Sequence, residues 1–307
     1  MKILLLGKNG QVGSELQRAL TPLGEVIACD RSEADLEDLS GLSRLVRSVQ
    51  PGVIVNAAAY TAVDRAESEP ARAMRINAEA VGVLAAETRR SEGLLVHYST
   101  DYVFDGRKDG DYLETDATAP LSVYGASKLA GERAITASGC RHLIFRTSWV
   151  FAARGANFIH TMLRLGRERD EIKVVADQTG APTSAELIAD VTAMALRGLE
   201  EQAQQTAGAA TAVPLNGIYH LAAAGATSWH GYAQLAVQEA LRVGIELRVT
   251  PERVIPITSA EYPALAGRPR NSRLDTGKLR SALGIAMPPW ELHVKRWLEK
   301  QLMATTK

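Results

Sequence analysis

A short apolar run, Ile3 to Leu6, stops at a glycine. The chain then reads Gly7-Lys8-Asn9-Gly10-Gln11-Val12-Gly13 before an amphipathic stretch from Ser14 to Leu20. A buried strand, a glycine turn and a helix in that order leave few folds open. One glycine permits the tight turn, one lets backbone approach a pyrophosphate, and one lets helix pack on strand. The helix N-terminus then meets the phosphates with unbonded N–H groups and the positive end of its dipole. Gly7, Gly10 and Gly13 are therefore candidate dinucleotide contacts. The tighter Gly-x-Gly-x-x-Gly fingerprint would need a glycine where Asn9 stands.

The next segments repeat the strand–helix alternation. Val26 to Cys29 is a second strand, and it ends in Asp30, about 20 residues past the turn. A carboxylate there can accept both adenosine ribose hydroxyls, which suits NADH. Arg31, next in line, could meet a 2′-phosphate, which suits NADPH. The cues conflict, so tolerance of both is expected. Asp35 to Ser40 opens a helix with Ser40 as N-cap, and Asp38-Leu39 could touch adenine or form a solvated turn. Gly52 to Asn56 is a third strand, followed by the small residues Ala57-Ala58-Ala59 before Tyr60-Thr61. Such residues at a strand end allow close approach of a ligand. Ala71 to Ser91 reads as one long helix that Gly93 stops.

Leu94 to Phe104 is a strand with a polar end and an aromatic loop. Ligand sites in open parallel sheets lie beyond the carboxyl ends of strands, which makes Thr100 the expected substrate-binding hydroxyl. His97, inside the apolar stretch, reads as a satisfied core histidine. Residues 105–120 look like a mouth loop, and Tyr124-Gly125-Ala126-Ser127-Lys128 comes next. Tyr and Lys four apart share one helix face. A free phenol titrates at roughly 10. A neighbouring ammonium is expected to lower that value and fit Tyr124 to pass a proton to a carbonyl oxygen. Leu143 to Phe151 reads as one strand, with Trp149 either stacking on a base or sugar or buried in the core.

Beyond it the alternation loosens. Phe158 to Arg169, Ala185 to Leu199 and Trp229 to Arg242 read as helices, and Gly217 to Leu221 as a short strand. Glu201 to Val213 reads as a mobile surface loop. Arg268, Arg270 and Arg273 lie within six residues. They form either a diphosphate grip or solvated surface charge. These patterns specify an α/β chain: a Rossmann-type doubly wound parallel sheet with a smaller, mixed C-terminal substrate-binding domain. The expected division is 1-150 for the sheet, with segments at about 174-221 returning to it, and the remainder of 151-307 for the substrate.

Bulk properties narrow the function. A length of 307 residues fits about two domains. Acids and bases balance at 35 each, so no overall field draws the chain to nucleic acid or an anionic membrane. Cys29 and Cys140 have neither metal-ligand nor disulfide-framework spacing, and Cys29 reads as a buried reduced thiol. No segment approaches the roughly 20 apolar residues of a membrane span. A cytoplasmic enzyme with no membrane or nucleic-acid partner is expected.

The motifs also carry a resemblance. Gly7 to Gly13, Ser99-Thr100-Asp101-Tyr102-Val103-Phe104 and Tyr124-Gly125-x-x-Lys128 resemble the extended short-chain dehydrogenase/reductases. Several stretches are similar, more narrowly, to the dTDP-4-dehydrorhamnose reductase family. They are Gly7 to Gly13, Asn56 to Asp64, Arg146 to Val150, Asp177 to Thr183 and Arg268 to Ser272. The resemblance implies reduction of a 4-keto nucleotide sugar with NADH or NADPH. It puts Gly10, Gln11 and Val12 on the pyrophosphate and Ala59, Tyr60, Thr61 and Tyr98 along the cofactor. It puts Thr100, Asp101, Tyr102 and Trp149 on the substrate, and gives Tyr124 and Lys128 the catalytic roles. Position 60 often carries His in that family and is Tyr here. Some members dimerise around Mg²⁺ held by glutamates, and Glu15 and Glu186 sit where such ligands would lie. Other readings are a nucleotide-sugar epimerase or dehydratase, disfavoured as a dehydratase by Tyr102 after Asp101, and a non-catalytic NADP-binding regulatory subunit.

Overall fold

The side chains of Ile3 to Leu6 are all fully buried, so β1 (Lys2–Leu6) lies inside the sheet. Successive strand residues face opposite sides. Ile3 and Leu5 accordingly enter one hydrophobic core, and Leu4 and Leu6 enter a second across the sheet. Such a strand needs helices on both faces. The structure, a computed structural model, describes residues 1–205 and 215–305.

In chain order β1 is followed by α1 (Gln11–Leu20), β2 (Glu25–Cys29), α2 (Leu39–Val49) and β3 (Val53–Asn56). A one-turn α3 (Val63–Ala66) leads to α4 (Pro70–Met74), α5 (Ala80–Arg90) and β4 (Leu94–Thr100). Then come α6 (Val123–Ser138) and β5 (Arg141–Thr147). After β5 run β6 (Val150–Phe151), α7 (Phe158–Glu168), β7 (Ile172–Val175), β8 (Thr179–Gly180), β9 (Thr183–Ser184) and α8 (Ala185–Gln205). The chain continues through β10 (Gly217–His220), β11 (Thr227–Ser228), α9 (Trp229–Arg242), β12 (Val254–Ile257), α10 (Gly277–Leu283) and α11 (Trp290–Thr305).

The main sheet has six strands in the order β10-β5-β4-β3-β1-β2, paired in parallel throughout. The doubly wound architecture expected from the sequence is therefore present. The chain order reverses between β1 and β3, the place where such sheets bind ligands. The remaining strands pair in twos, β11 with β8, β12 with β7 and β6 with β9.

Four sequence expectations change. Asp38, not Ser40, caps α2: its Oδ1 accepts from the Gly41 N–H at 2.9 Å, and Ser40 Oγ donates to the same oxygen. That register places Leu39 in the helix, packed against the second core. The helix expected over Ala71–Ser91 starts instead at Pro70, a good first helical residue. It widens into a π turn at Arg75–Glu79. The strand expected from Leu143 to Phe151 is two strands, broken at Trp149, whose φ of 49° is left-handed. Finally, α8 runs on to Gln205, past the Leu199 expected. The remainder of the expected 201–213 loop lies outside the described residues.

Candidate functional site

Three loops converge beyond the carboxyl ends of β1, β3 and β4. In the first, Gly7 takes a φ of 83°, and a Cβ there would lie 2.8 Å from the Ala58 nitrogen. The turn after β1 and the small residues after β3 thus touch backbone to backbone. A Cβ on Gly13 would lie 2.0 Å from the Gly7 carbonyl oxygen. Gly10 caps α1 with no side-chain hydrogen bond. The first N–H groups of α1, at Gln11 and Val12, therefore remain available to a phosphate. The cradle fits a dinucleotide pyrophosphate. Gly13→Ala is expected to weaken NADH binding more than about tenfold, because backbone and not a mobile side chain stands in the way. Fluorescence titration with NADH measures it, and unchanged affinity would remove the cradle from the binding site.

Asp30 follows β2. Its Oδ1 accepts from the Ser32 N–H and hydroxyl at 2.9 and 2.6 Å, and these bonds lower its pKa. Asn9 donates to Oδ2 at 3.1 Å, and Lys8 Nζ lies 3.7 Å away. Arg31 is turned elsewhere, paired with Asp35 at 3.3 Å and Glu37 at 2.5 Å. The cation nearest the Asp30 carboxylate is therefore Lys8, from inside the glycine turn, which the sequence reading passed over. Asp38 and Leu39 form the start of α2, with Asp38 used as its cap.

The wall after β3 is held by a side chain the sequence reading also missed. Asn77, in the π turn, accepts from the Tyr60 N–H at 2.8 Å. It donates to the Tyr60 carbonyl at 3.0 Å and to Ser127 Oγ at 2.9 Å. Asn77 thereby ties residues 59–61 to α6. An asparagine in mid-helix is a poor helix former, and that was its only signal in the sequence. The Tyr60 hydroxyl donates to Glu69 at 2.9 Å.

At the centre, Thr100 ends β4 and Tyr124 opens α6, with Ser122 as N-cap through a 3.1 Å bond from the Gly125 N–H. Gly125 is required there, since a Cβ would lie 2.2 Å from the Tyr102 carbonyl. Thr100 Oγ1 donates to Asp101 Oδ1 at 3.1 Å. The phenol is pushed up to about 12 by burial, which its hydrogen bond with Thr100 partly offsets. The expected lowering by Lys128 is thus absent. The reason is geometric: Lys128 Nζ is spent on the Tyr98 carbonyl at 2.6 Å and on His97 Nε2 at 3.2 Å. Burial brings Lys128 down to about 8. A phenol that stays protonated at neutral pH can donate a proton, as reduction of a carbonyl needs. The Tyr98 ring faces away, its hydroxyl 2.8 Å from Thr192 of α8, so only its carbonyl meets this group. His97 is buried, as expected for a core histidine, yet it touches Lys128.

Burial pushes Asp101 up to about 6, against the hydroxyls of Ser272 and Thr100. A pKa raised by folding favours the folded state while the carboxyl is protonated in it. That contribution is complete below about 4 and lost as pH rises through about 6. Asp101→Asn is therefore expected to stabilise the protein at pH 7 by on the order of 2–3 kcal/mol and hardly at pH 4. Urea unfolding at both values tests this; equal gains would refute it.

A cavity of about 520 Å³ is lined by Phe158, Lys173, Gln178, Trp229, Tyr262 and Arg268, among others. Trp229 Nε1 donates to Gln178 Oε1 at 3.1 Å, and Gln178 donates to Ser259 Oγ at 3.0 Å. Trp229 stacks on Trp149 with ring centroids 3.6 Å apart. A Cβ on Gly180 would lie 2.6 Å from the Trp149 ring, so that position must stay bare. The left-handed backbone of Trp149 is strain of the kind functional sites keep. Arg268 reaches Asp64 at 2.8 Å, after the Ala266 N–H has bonded the same carboxylate at 3.1 Å. Arg273 instead bonds Asn271 at 3.0 Å, and Arg270 is exposed. The three arginines therefore do not form one grip; Arg268 alone lines the cavity. Aromatic walls with Lys173 and Arg268 suit a planar base joined to an anion. Trp229 carried no signal in the sequence beyond opening a helix.

Glu15 lies 3.6 Å from Arg18, and Glu186 is ion-paired with Lys300. Among the described residues no group of three or more His, Cys, Asp or Glu could hold a metal ion. As folded, Glu15 and Glu186 each stand beside a cation. No helix among the described residues is long and apolar enough to cross a membrane.

The profile of a family described as the RmlD substrate binding domain matches residues 1–303. A dTDP-4-dehydrorhamnose reductase from Burkholderia thailandensis is 53% identical over 294 residues, 96% of this chain and 97% of that protein. The crystal structure of a dTDP-4-dehydrorhamnose reductase from Clostridium acetobutylicum superposes with a TM-score of 0.87. It is 34% identical and the match covers 99% of this chain and 100% of that one. The corresponding reductase from Bacillus anthracis, in complex with NADP, gives a TM-score of 0.83 at 34% identity, over 98% of this chain and 100% of that one.

Proposed function

This chain belongs to the RmlD substrate-binding-domain family, and from that membership we infer that it reduces the 4-keto group of dTDP-4-dehydro-β-L-rhamnose, giving dTDP-β-L-rhamnose, with NADPH or NADH. The observation that carries this reading is identity of 53% with a reductase of that name over 96% of the chain.

The bound dinucleotide supplies the hydride. The rest falls to the protein. Gly7, Gly10, Gln11, Val12 and Gly13 hold the pyrophosphate, and Asp30 holds the adenosine ribose with Lys8 beside it. Asp38 and Leu39 border the adenine, and Ala59, Tyr60 and Thr61 wall the nicotinamide side. Thr100 orients the carbonyl oxygen, and Tyr124 gives that oxygen its proton. Lys128 holds ribose hydroxyls. Asp101 and Tyr102 border the sugar, with the Tyr102 ring edge-on to Tyr124 at 5.6 Å. The base and diphosphate occupy the aromatic cavity between Trp229, Lys173 and Arg268, with Trp149 behind. The sheet thus serves the cofactor and the C-terminal segments serve the nucleotide sugar.

The reading includes a homodimer in the cytoplasm, supported by the family resemblance; light scattering is expected to give twice the monomer mass. Mg²⁺ between two copies would have to displace Arg18 and Lys300 from Glu15 and Glu186, and no step is assigned to it.

The test is NAD(P)H oxidation with the keto sugar generated in place from dTDP-glucose. Consumption that depends on the sugar is expected with both cofactors. With Arg31 engaged by Glu37 and Lys8 the cation nearest Asp30, Lys8→Ala is expected to raise KM for NADPH by about tenfold and to leave NADH nearly unchanged. Intact cofactor binding without consumption would point to another nucleotide sugar.

A further inference from the structure

The protons around Lys128 can be counted. Asn56 Oδ1 accepts from the Ala58 backbone N–H at 3.2 Å. A backbone N–H can only donate, so the NH₂ end of that amide is the one turned to His97 Nδ1, 3.2 Å away. Nδ1 must then present a lone pair, and a neutral imidazole carries its proton on Nε2. Burial keeps His97 neutral. Nε2 lies 3.2 Å from Lys128 Nζ, whose other partner is the Tyr98 carbonyl at 2.6 Å. An N–H aimed at an ammonium is repulsive, whereas aimed at an amine it makes a hydrogen bond. The count closes with Lys128 as an amine: one N–H goes to the Tyr98 carbonyl, and the lone pair takes the His97 proton.

We propose that His97 is a positioning residue that favours the neutral amine of Lys128 in the cofactor-free protein, so that at mildly alkaline pH cofactor binding is coupled to uptake of a fraction of a proton at Lys128 Nζ. The proposal rests on the reading of Lys128 as the residue that holds ribose hydroxyls. Those oxygens would give the ammonium the acceptors it lacks, while the pyrophosphate adds negative charge nearby. The proton comes from solvent and no other bond changes. The resulting ammonium then acts on Tyr124 one turn away, so the acid becomes easier to ionise only when the cofactor is in place.

The other groups around Nζ are few. From α6 comes Glu132, which favours the ammonium, and Tyr124 stands one turn before Lys128 on the same helix. Glu132 is itself bonded by Arg146 of β5 at 2.9 and 2.7 Å. From β4 come His97 and the Tyr98 carbonyl, and from β3 comes Asn56 behind His97. At pH 8 Asp101, near 6, is ionised and Tyr124, near 12, is protonated. Lys128, near 8, is the one of these that titrates there.

Isothermal titration of NADH into the protein, in two buffers of different ionisation enthalpy, counts the protons taken up. NADH is chosen because it has no titrating 2′-phosphate. At pH 8 the wild type is expected to take up about half a proton per NADH, falling toward zero at pH 6.5, where the amine is already charged. In His97→Gln the side-chain carbonyl can turn to the ammonium, so uptake at pH 8 is expected to fall below about a quarter of the wild-type value. No uptake by the wild type at pH 8 would overturn the coupling, whether or not the variant folds. Equal uptake in both proteins would overturn the part given to His97. Failure of NADH to bind at any pH would instead overturn the cofactor reading beneath it, a distinguishable result.

Discussion

Tyr124→Phe is expected to lower kcat for reduction of the keto sugar by about 10²- to 10⁴-fold, the usual worth of a positioned general acid. The substitution removes one hydroxyl and keeps the ring, which meets Tyr102 edge-on. The helix is unaffected, since Ser122 and not Tyr124 caps α6. The proposed cofactor contacts on the glycine turn, Asp30 and Lys128 are untouched, so NADH affinity is expected to stay within about twofold. A single-turnover experiment separates the two. Loss of hydride transfer with intact binding is the expected pattern, and unchanged transfer would take the proton-donor role from Tyr124. The raised phenol predicts a further feature: activity should not require the phenolate, so turnover should not rise with pH across the neutral range.

Arg146→Met should have the largest effect on stability. Glu132 and Arg146 are both buried, their side chains only 2% and 3% exposed. Arg146 makes two bonds to the carboxylate, and Ser99 donates the third at 2.5 Å. Removing one partner strands a charge in the interior, which costs about 3–5 kcal/mol. For a chain of this size that lowers Tm by roughly 5–8 °C. The double variant Glu132→Leu with Arg146→Met removes both charges and should recover most of the loss, because a buried ion pair is often worth little against apolar packing. Calorimetry of both proteins decides; a double variant no better than the single would show that the pair itself, not the stranded charge, holds α6 to β5.

The positions of these residues were read from sequence with uneven success. The glycine turn was legible because strand, turn and helix are local events with fixed residue demands. Gly7 and Gly13 indeed leave no room for a side chain. Thr100, Tyr124 and Lys128 were legible as a pattern, with Thr100 at the end of β4 and Tyr124 and Lys128 one turn apart on α6. Their electrostatics were not legible. Helical spacing places Lys128 on the face of Tyr124, but it cannot reveal that β4 offers a carbonyl and a histidine to the same amine. Arg268, Arg270 and Arg273 looked like one cluster because they are close in sequence, but Arg268 reaches Asp64, Arg273 reaches Asn271 and Arg270 is exposed.

The chain's own order thus determined the sheet, the glycine turn and the helix that carries Tyr124 and Lys128, since each rests on residues within one turn or one strand–turn–helix unit. Tertiary structure alone decided which groups meet across elements. Asn77 reaches Tyr60 and Ser127 from a π turn, Trp229 stacks on Trp149 across 80 residues, and Lys8 rather than Arg31 lies nearest Asp30. Such contacts depend on where the packing of two cores leaves each backbone, and pKa values depend on how much water that packing removes. Neither quantity is written in the spacing of residues along a chain.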